Sequence, residues 1–223
     1  MFHSYLSNRK QFVKLKDVQS GFVGISNGVP QGSVLAPLLL IMYINDLPTS
    51  SAFYAVLYAD DTFICLSHKN LDNLHHMVNV ELHKVDNWLC SNKLSLNYSK
   101  STFMPTKSLN NSSNLLENCL SFQIKINDSY FQQTTCAKHL GLMIDSSLDW
   151  SSHVQYMKSK LARASYLFCK IRNEVSINVL KMLYFILVHC HLKYCIVSWA
   201  TAANSVLQPL EVVHNNILRT ITI

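Results

Sequence analysis

"LYADDTFI", residues 57–64, sets two adjacent carboxylates, Asp60 and Asp61, inside an apolar stretch. The longer run "AFYAVLYADDTFICL" (52–66) is two apolar segments joined at the acidic pair. That pattern predicts a β-hairpin with the aspartates at or beside its turn. Turn chemistry alone explains an isolated Asp-Asp, since Asp tolerates unusual backbone dihedrals. Here apolar strands on both sides predict a packed hairpin, and packed carboxylates need a counter-charge. The nearest Lys or Arg in sequence are Lys16 and Lys69. A hard divalent cation such as Mg²⁺, held by carboxylate oxygens and by substrate phosphates, meets the need. Two such ions, about 3.5–4 Å apart, stabilise the attacking and leaving oxygens of an in-line phosphoryl displacement.

Upstream lies "NGVPQGSVLAP" (27–37), a loop punctuated by Asn27-Gly28 and Gln31-Gly32 and stiffened by Pro30 and Pro37. It leads into "LAPLLLIMYINDLP" (35–48), a buried helix opened by Pro37 and stopped before Pro48. A short strand is expected around "QFVKLKD" (11–17). Downstream of the acidic pair a helix starts at Asn70, because Leu71, Leu74, Val78, Leu82, Val85 and Leu89 recur every three or four residues. "KLSLNYSKSTFM" (93–104) reads as two short strands around a loop at Asn97 to Lys100. "SFQIKINDSYFQ" (121–132) reads as a hairpin turning at Asn127-Asp128, and "KHLGLMID" (138–145) as a last short strand.

Past residue 146 the pattern is purely helical, which places a domain boundary there and gives an α+β chain overall. Val154, Met157, Leu161, Ala164, Phe168 and Ile171 make one apolar stripe. At 100° per residue Lys160, Arg163 and Lys170 fall opposite it, with Lys158 and Arg172 at its flank. No acid occurs between Trp150 and Asn173. A solvated helix face and a surface for phosphate backbones both fit that pattern.

The 223 residues are 49% hydrophobic and 14% charged, which excludes a disordered chain and allows a real core. A net charge of +6 favours a polyanionic partner, nucleic acid or an anionic surface. Seven cysteines without a CxxC pair read as reduced, intracellular thiols. "HCHLKYC" (189–195) lacks the second ligand cluster of a zinc finger. The run 34–44 is too short to span a membrane, and 179–200 is broken by Lys181, His189, His191 and Lys193, so no membrane span is expected.

"GVPQGSVLAPLLLIMYINDLP" (28–48) followed by "LYADDT" resembles the reverse transcriptase of non-LTR (LINE-like) retrotransposons. "WLCSNKLSLNYSKS" (88–101), "KHLGLMID", "LKYCIVSWA" (192–200) and "LEVVHNNILRTI" (210–221) continue the likeness in the family's order, over essentially the whole chain. The resemblance implies a right-hand polymerase: a partial palm of antiparallel sheet plus helices over 1–145, then an all-helical thumb over 146–223. It implies catalytic Mg²⁺ on Asp60 and Asp61, an RNA template, a DNA primer and deoxynucleoside triphosphates. Gln31, Gly32 and Ser33 match the loop at template and nucleotide, and Tyr58 matches an aromatic residue under the primer end. Lys100 matches a lysine that protonates departing pyrophosphate, although an ordinary exposed lysine is an equal reading. Leu140 and Gly141 match a primer-gripping strand, and Lys160, Arg163 and Lys170 would face duplex phosphates. Nuclear action is what the family implies.

The family's centre needs three carboxylates, and the third comes from a strand upstream of "SYLSNRKQFV" (4–13). Asp17 and Asp46 are the only acids before Asp60, and neither matches its position. Ala36 stands where the family usually has Gly. The chain therefore reads as a fragment truncated at its N-terminus, inactive in isolation. Rival readings are a non-catalytic nucleic-acid-binding remnant and a product that does not fold stably.

Overall fold

The computed structural model describes residues 2–26, 28–30, 32–106, 123–126 and 129–222. They form an α+β chain that divides into two compact units, Met1–Ser95 and Leu96–Ile223. Gln31, Asn27 and the expected turn at Asn127-Asp128 lie outside the described residues.

The first unit opens with α1 (Phe2–Leu6) and four short strands: β1 (Arg9–Gln11), β2 (Lys14–Leu15), β3 (Val18–Gln19) and β4 (Val23–Ile25). β1 pairs antiparallel with β4, and β2 with β3. The result is one long hairpin where the sequence suggested a single strand. Its two halves are stitched by Ser20 N donating to the Val13 carbonyl at 2.9 Å, and Phe12 meets Phe22 edge-on at 5.0 Å.

Next comes α2 (Leu35–Ile44), then a 3₁₀ turn, Leu47–Thr49, carrying Pro48. The helix stands where Pro37 and Pro48 place it, yet it is not the buried helix expected. Ala36 is its one buried residue, while Leu38, Ile41 and Met42 are exposed. Among the described residues the strands pair only in twos, so no broad sheet is present to cover it.

β5 (Tyr54–Tyr58) and β6 (Asp61–Cys65) form the acidic hairpin, in register from Tyr54 opposite Cys65 to Tyr58 opposite Asp61. α3 (Leu71–Ser91) begins at Asn70, whose side chain accepts from Asn73 N at 3.1 Å. That cap satisfies one of the free amides of the first turn. All six positions of its predicted stripe are buried or half-buried.

Two contacts tie α3 to the neighbouring segments. Glu81, itself buried, accepts from Ala52 N at 2.7 Å and holds Lys84 at 2.7 Å. Trp88 Nε1 donates to Asp46 at 3.2 Å, which makes Asp46 a structural acid.

The second unit starts with β7 (Thr102–Phe103), followed by β8 (Lys125–Ile126), β9 (Ser129–Tyr130) and β10 (Gln132–Gln133). β8 pairs antiparallel with β9, and β10 runs parallel to β7. "KHLGLMID" is not one strand: β11 (Cys136–His139) and β12 (Leu142–Asp145) form a hairpin about Leu140 and Gly141. Both turn residues have positive φ, 46° and 85°.

The remainder is helical: α4 (Ser151–Ile171), α5 (Ile177–Tyr184), a π turn (Phe185–His189), α6 (Cys190–Lys193), α7 (Ile196–Trp199) and α8 (Asn204–Thr222). The predicted α4 stripe is the core: Val154, Met157, Leu161, Ala164 and Phe168 are buried with Leu180, Val188, Trp199, Leu210, Ile217 and Ile221. Phe168, Leu161, Ile217 and Val188 are fully enclosed. Burying side chains of that size contributes about 1.5–3 kcal/mol each, so α4 against α8 is the main source of this unit's stability. Among the described residues, no helix is long and apolar enough to cross a membrane.

Candidate nucleic-acid interface and acidic hairpin

Ala59 and Asp60 form the two-residue turn of the β5–β6 hairpin, and Asp61 is the first residue of β6. Ala59 takes φ 52°, the left-handed region that tight hairpin turns demand and that costs a residue with a Cβ about 1–2 kcal/mol. Asp60 and Asp61 are both exposed, not packed as expected. β5 exposes alternate residues, Tyr54, Val56 and Tyr58, while β6 exposes all but Ile64, so the hairpin tip stands in solvent. Tyr58 flanks the pair directly, opposite Asp61 and exposed.

Two carboxylates side by side on an open tip are hard oxygen donors. They suit a Mg²⁺-type ion that takes one or two protein carboxylates and completes its shell with water and phosphate. Among the described residues, no group of three His, Cys, Asp or Glu stands close enough together to hold a metal ion.

Gly32 and Ser33 sit ahead of α2. Gly32 has φ 80° with open space where a Cβ would be, so its backbone can approach a ligand but is strained for other residues. Ser33 Oγ donates to the Pro30 carbonyl at 2.9 Å, accepts from Ala36 N at 3.2 Å and bonds the Tyr5 hydroxyl. The serine thus fixes the loop to the start of α2. Gln31 lies outside the described residues.

The other candidates belong to the second unit. Lys100 is exposed on a turn closed by its own amide donating to the Asn97 carbonyl at 3.1 Å. Leu140 and Gly141 are the β11–β12 turn, held from one side by Tyr194. The Tyr194 hydroxyl donates to the Leu140 carbonyl at 2.5 Å, and a Cβ on Gly141 would lie 3.4 Å from its ring. Sequence reasoning missed Tyr194, whose only signal was an aromatic residue inside "LKYC".

Asp145, closing β12, is buried and accepts from Asp149 N at 3.0 Å and Ser152 N at 3.2 Å. It therefore caps α4 and orients that helix against the hairpin. The Ser151 amide, bonded to Asp149, holds the Asp149 carboxyl below its ordinary range.

Lys160 and Arg163 come together at a shallow cavity of about 320 Å³, lined also by Ala164, Leu167, Leu187 and His191. Lys160 is half-buried there, nearer the neighbouring π turn and α6 than a free solvent face would be. Its ammonium also lies 4.7 Å from the Tyr156 ring centre, with Lys138 at 6.0 Å from the same ring. Together these cations pull the Tyr156 phenol below its ordinary range, Lys160 most of all. Lys170 stands apart, exposed and 5.6 Å from the Tyr166 ring.

Residues 1–144 match the reverse transcriptase (RNA-dependent DNA polymerase) family. The chain belongs to the reverse transcriptase family. It is 25% identical over its full length to a Drosophila melanogaster protein named as the probable RNA-directed DNA polymerase from transposon X-element. It is 26% identical over 98% of its length to the polymerase from mobile element jockey, and 27% to the probable polymerase from transposon BS, both of the same species. This reverse transcriptase chain spans about a quarter of the length of each of those relatives. They are transposon and mobile-element polymerases, in keeping with the LINE-like likeness of its motifs. No solved structure matches it.

Proposed function

We propose that the chain is part of an RNA-directed DNA polymerase of a non-LTR retrotransposon, extending a DNA primer along an RNA template. The observation that carries this reading is the Asp60-Asp61 pair on a hairpin tip, in a chain of the reverse transcriptase family. In this reading 1–145 is palm and 146–223 is thumb. Asp60 and Asp61 hold Mg²⁺, which when bound supplies the positive charge that screens the phosphates of nucleotide and primer end. Tyr58 packs beneath the primer terminus, and Gly32 with Gln31 and Ser33 borders the template and nucleotide. In this reading Lys100 returns a proton to pyrophosphate. The Leu140-Gly141 turn and the cations of α4 steady the primer duplex.

Two carboxylates without a third among the described residues hold one ion weakly. A missing bridging ligand worth several kcal/mol in the transition state lowers the rate about a thousandfold or more. The test is binding and primer extension on an RNA–DNA duplex, with Mg²⁺, at several salt concentrations. Binding that weakens steeply with salt and extension below detection support the reading as stated. Extension abolished by Asp60→Ala would show a complete centre in this chain. Absence of salt-sensitive duplex binding would sink the polymerase reading.

A further inference from the structure

The cavity beside α4 has a composition that duplex steering alone does not call for. Lys160 and Arg163 come from α4, Leu187 from the π turn and His191 from α6, over a floor of Ala164, Leu167 and Leu187. Among the described residues no carboxylate lines it, and Glu174 is the only acid between Trp150 and Leu210 in the sequence. The neighbouring titratable groups, Tyr156 one turn back on α4, Lys138 from β11, and His189 and Lys193 flanking His191 in sequence, add no carboxylate. Two permanent cations and one titratable imidazole thus share one concavity, partly shielded from water by an apolar floor. A group of that kind draws a tetrahedral oxyanion with several acceptor oxygens.

We propose that Lys160, Arg163 and His191 form one phosphate cradle, in which His191 takes up a proton as the phosphate enters. In the empty cradle the imidazole is neutral, because burial and the Lys160 charge both disfavour its cation. A phosphate between the three side chains reverses the second influence. The proton comes from solvent and stays on the ring, and no bond in the ligand changes. Phosphate affinity therefore rises as pH falls. The proposal rests on the reading of the helical unit as a nucleic-acid surface for one ligand source, a strand phosphate. A free nucleotide phosphate is the other source with the same chemistry.

The experiment follows the His191 ring C2 proton by NMR across pH 5–8 in the full chain. Sulfate serves as the probe, because it keeps its charge over that range, with ionic strength held constant by chloride. A deoxynucleoside monophosphate and an RNA–DNA duplex form the second and third arms, and duplex affinity is measured at pH 7.5 and 5.5. The expected result is an upward move of the His191 midpoint with sulfate. Duplex affinity should rise about fivefold or more on acidification, the effect of one added charge at contact distance near a wet surface. That rise should shrink in His191→Gln. A midpoint unmoved by all three ligands, or a pH effect equally large in His191→Gln, overturns the cradle. If sulfate and the monophosphate move the midpoint while the duplex does not bind, the cradle stands and the thumb reading fails.

Discussion

The Tyr194 hydroxyl donates a hydrogen bond to the carbonyl of Leu140 at 2.5 Å, across 54 positions of sequence. The bond pins a turn whose two residues both have positive φ. Such a backbone is costly for Leu and persists because the surroundings hold it. Removing the hydroxyl in Tyr194→Phe should cost about 1 kcal/mol, the worth of one neutral hydrogen bond. Gly141→Ala should cost about 1–2 kcal/mol, because φ 85° strains any residue with a Cβ. Denaturant midpoints of the two variants check both figures. An unchanged midpoint in Gly141→Ala would mean that the turn is not held as described.

Asp145 is the second fixed point of the same hairpin. Its two oxygens take the Asp149 and Ser152 amides at the entrance to α4. Asp145→Ala strands both donors beside a buried site and should destabilise by about 2–3 kcal/mol. Asp145→Asn keeps one acceptor oxygen and should lose about half as much. Equal losses in the two variants would show that charge, and not the cap geometry, is what matters.

Acid should weaken the helical unit before it touches the carboxylates. His153 is buried, and its Nδ1 accepts the Met143 amide at 3.3 Å, which leaves the ring proton on Nε2. Burial holds His153, His191 and His214 below the ordinary histidine value, helped by Lys160 at the first two and His189 at the third. At pH 7.5 these rings are neutral in both folded and unfolded chains, so the stability is fully present. Below about pH 6.5 the unfolded chain binds protons that the folded one refuses, and stability falls with pH. The urea midpoint should be lower at pH 5.5 than at 7.5, and the drop should shrink in His153→Gln. A midpoint constant over that range would contradict the linkage.

Salt dependence separates the cations of α4. Lys160→Gln and Arg163→Gln should each flatten the plot of log affinity for an RNA–DNA duplex against log salt by about 0.9, one phosphate contact apiece. Lys170, exposed and away from the cavity, should have the smaller effect of the three. Identical small effects at all three positions would mean diffuse attraction and no docked surface.

How legible the fold was depends on which physical signal each segment carried. α3 and α4 were readable because their apolar positions repeat at the helical period, and the same stripes are what the structure buries. The acidic hairpin was readable as a hairpin, but its exposure was not. Alternation shows which residues share a face, and says nothing about whether another element covers that face. The same limit applies to α2, whose all-round apolar sequence suggested burial that the described strand pairs do not supply. The Leu140-Gly141 turn escaped because Leu carries no signal for positive φ, and the flanking runs read as one strand. The Lys160, Arg163 and His191 cavity escaped for another reason: His191 lies 28 positions beyond Arg163, on a separate helix, and only packing brings them together.

Exposure of the acidic pair makes it a clean target for mutation. Asp60 and Asp61 stand on the tip of a two-stranded hairpin in solvent, and no salt bridge binds them among the described residues. Replacing either by Ala removes no buried contact, so the unfolding free energy should stay within about 0.5 kcal/mol of the parent. Glu81→Gln is the useful contrast, because Glu81 holds the Ala52 amide just before β5 and its carboxyl is kept low by Lys84. That variant should lower stability without touching the acidic pair. Terbium luminescence, a probe of carboxylate sites for hard cations, should fall in Asp60→Ala and in the double variant Asp60→Ala/Asp61→Ala, and persist in Glu81→Gln. Luminescence unchanged by the double variant would show that the tip does not hold the cation. A melt shifted strongly by Asp60→Ala would show instead that the pair supports the fold.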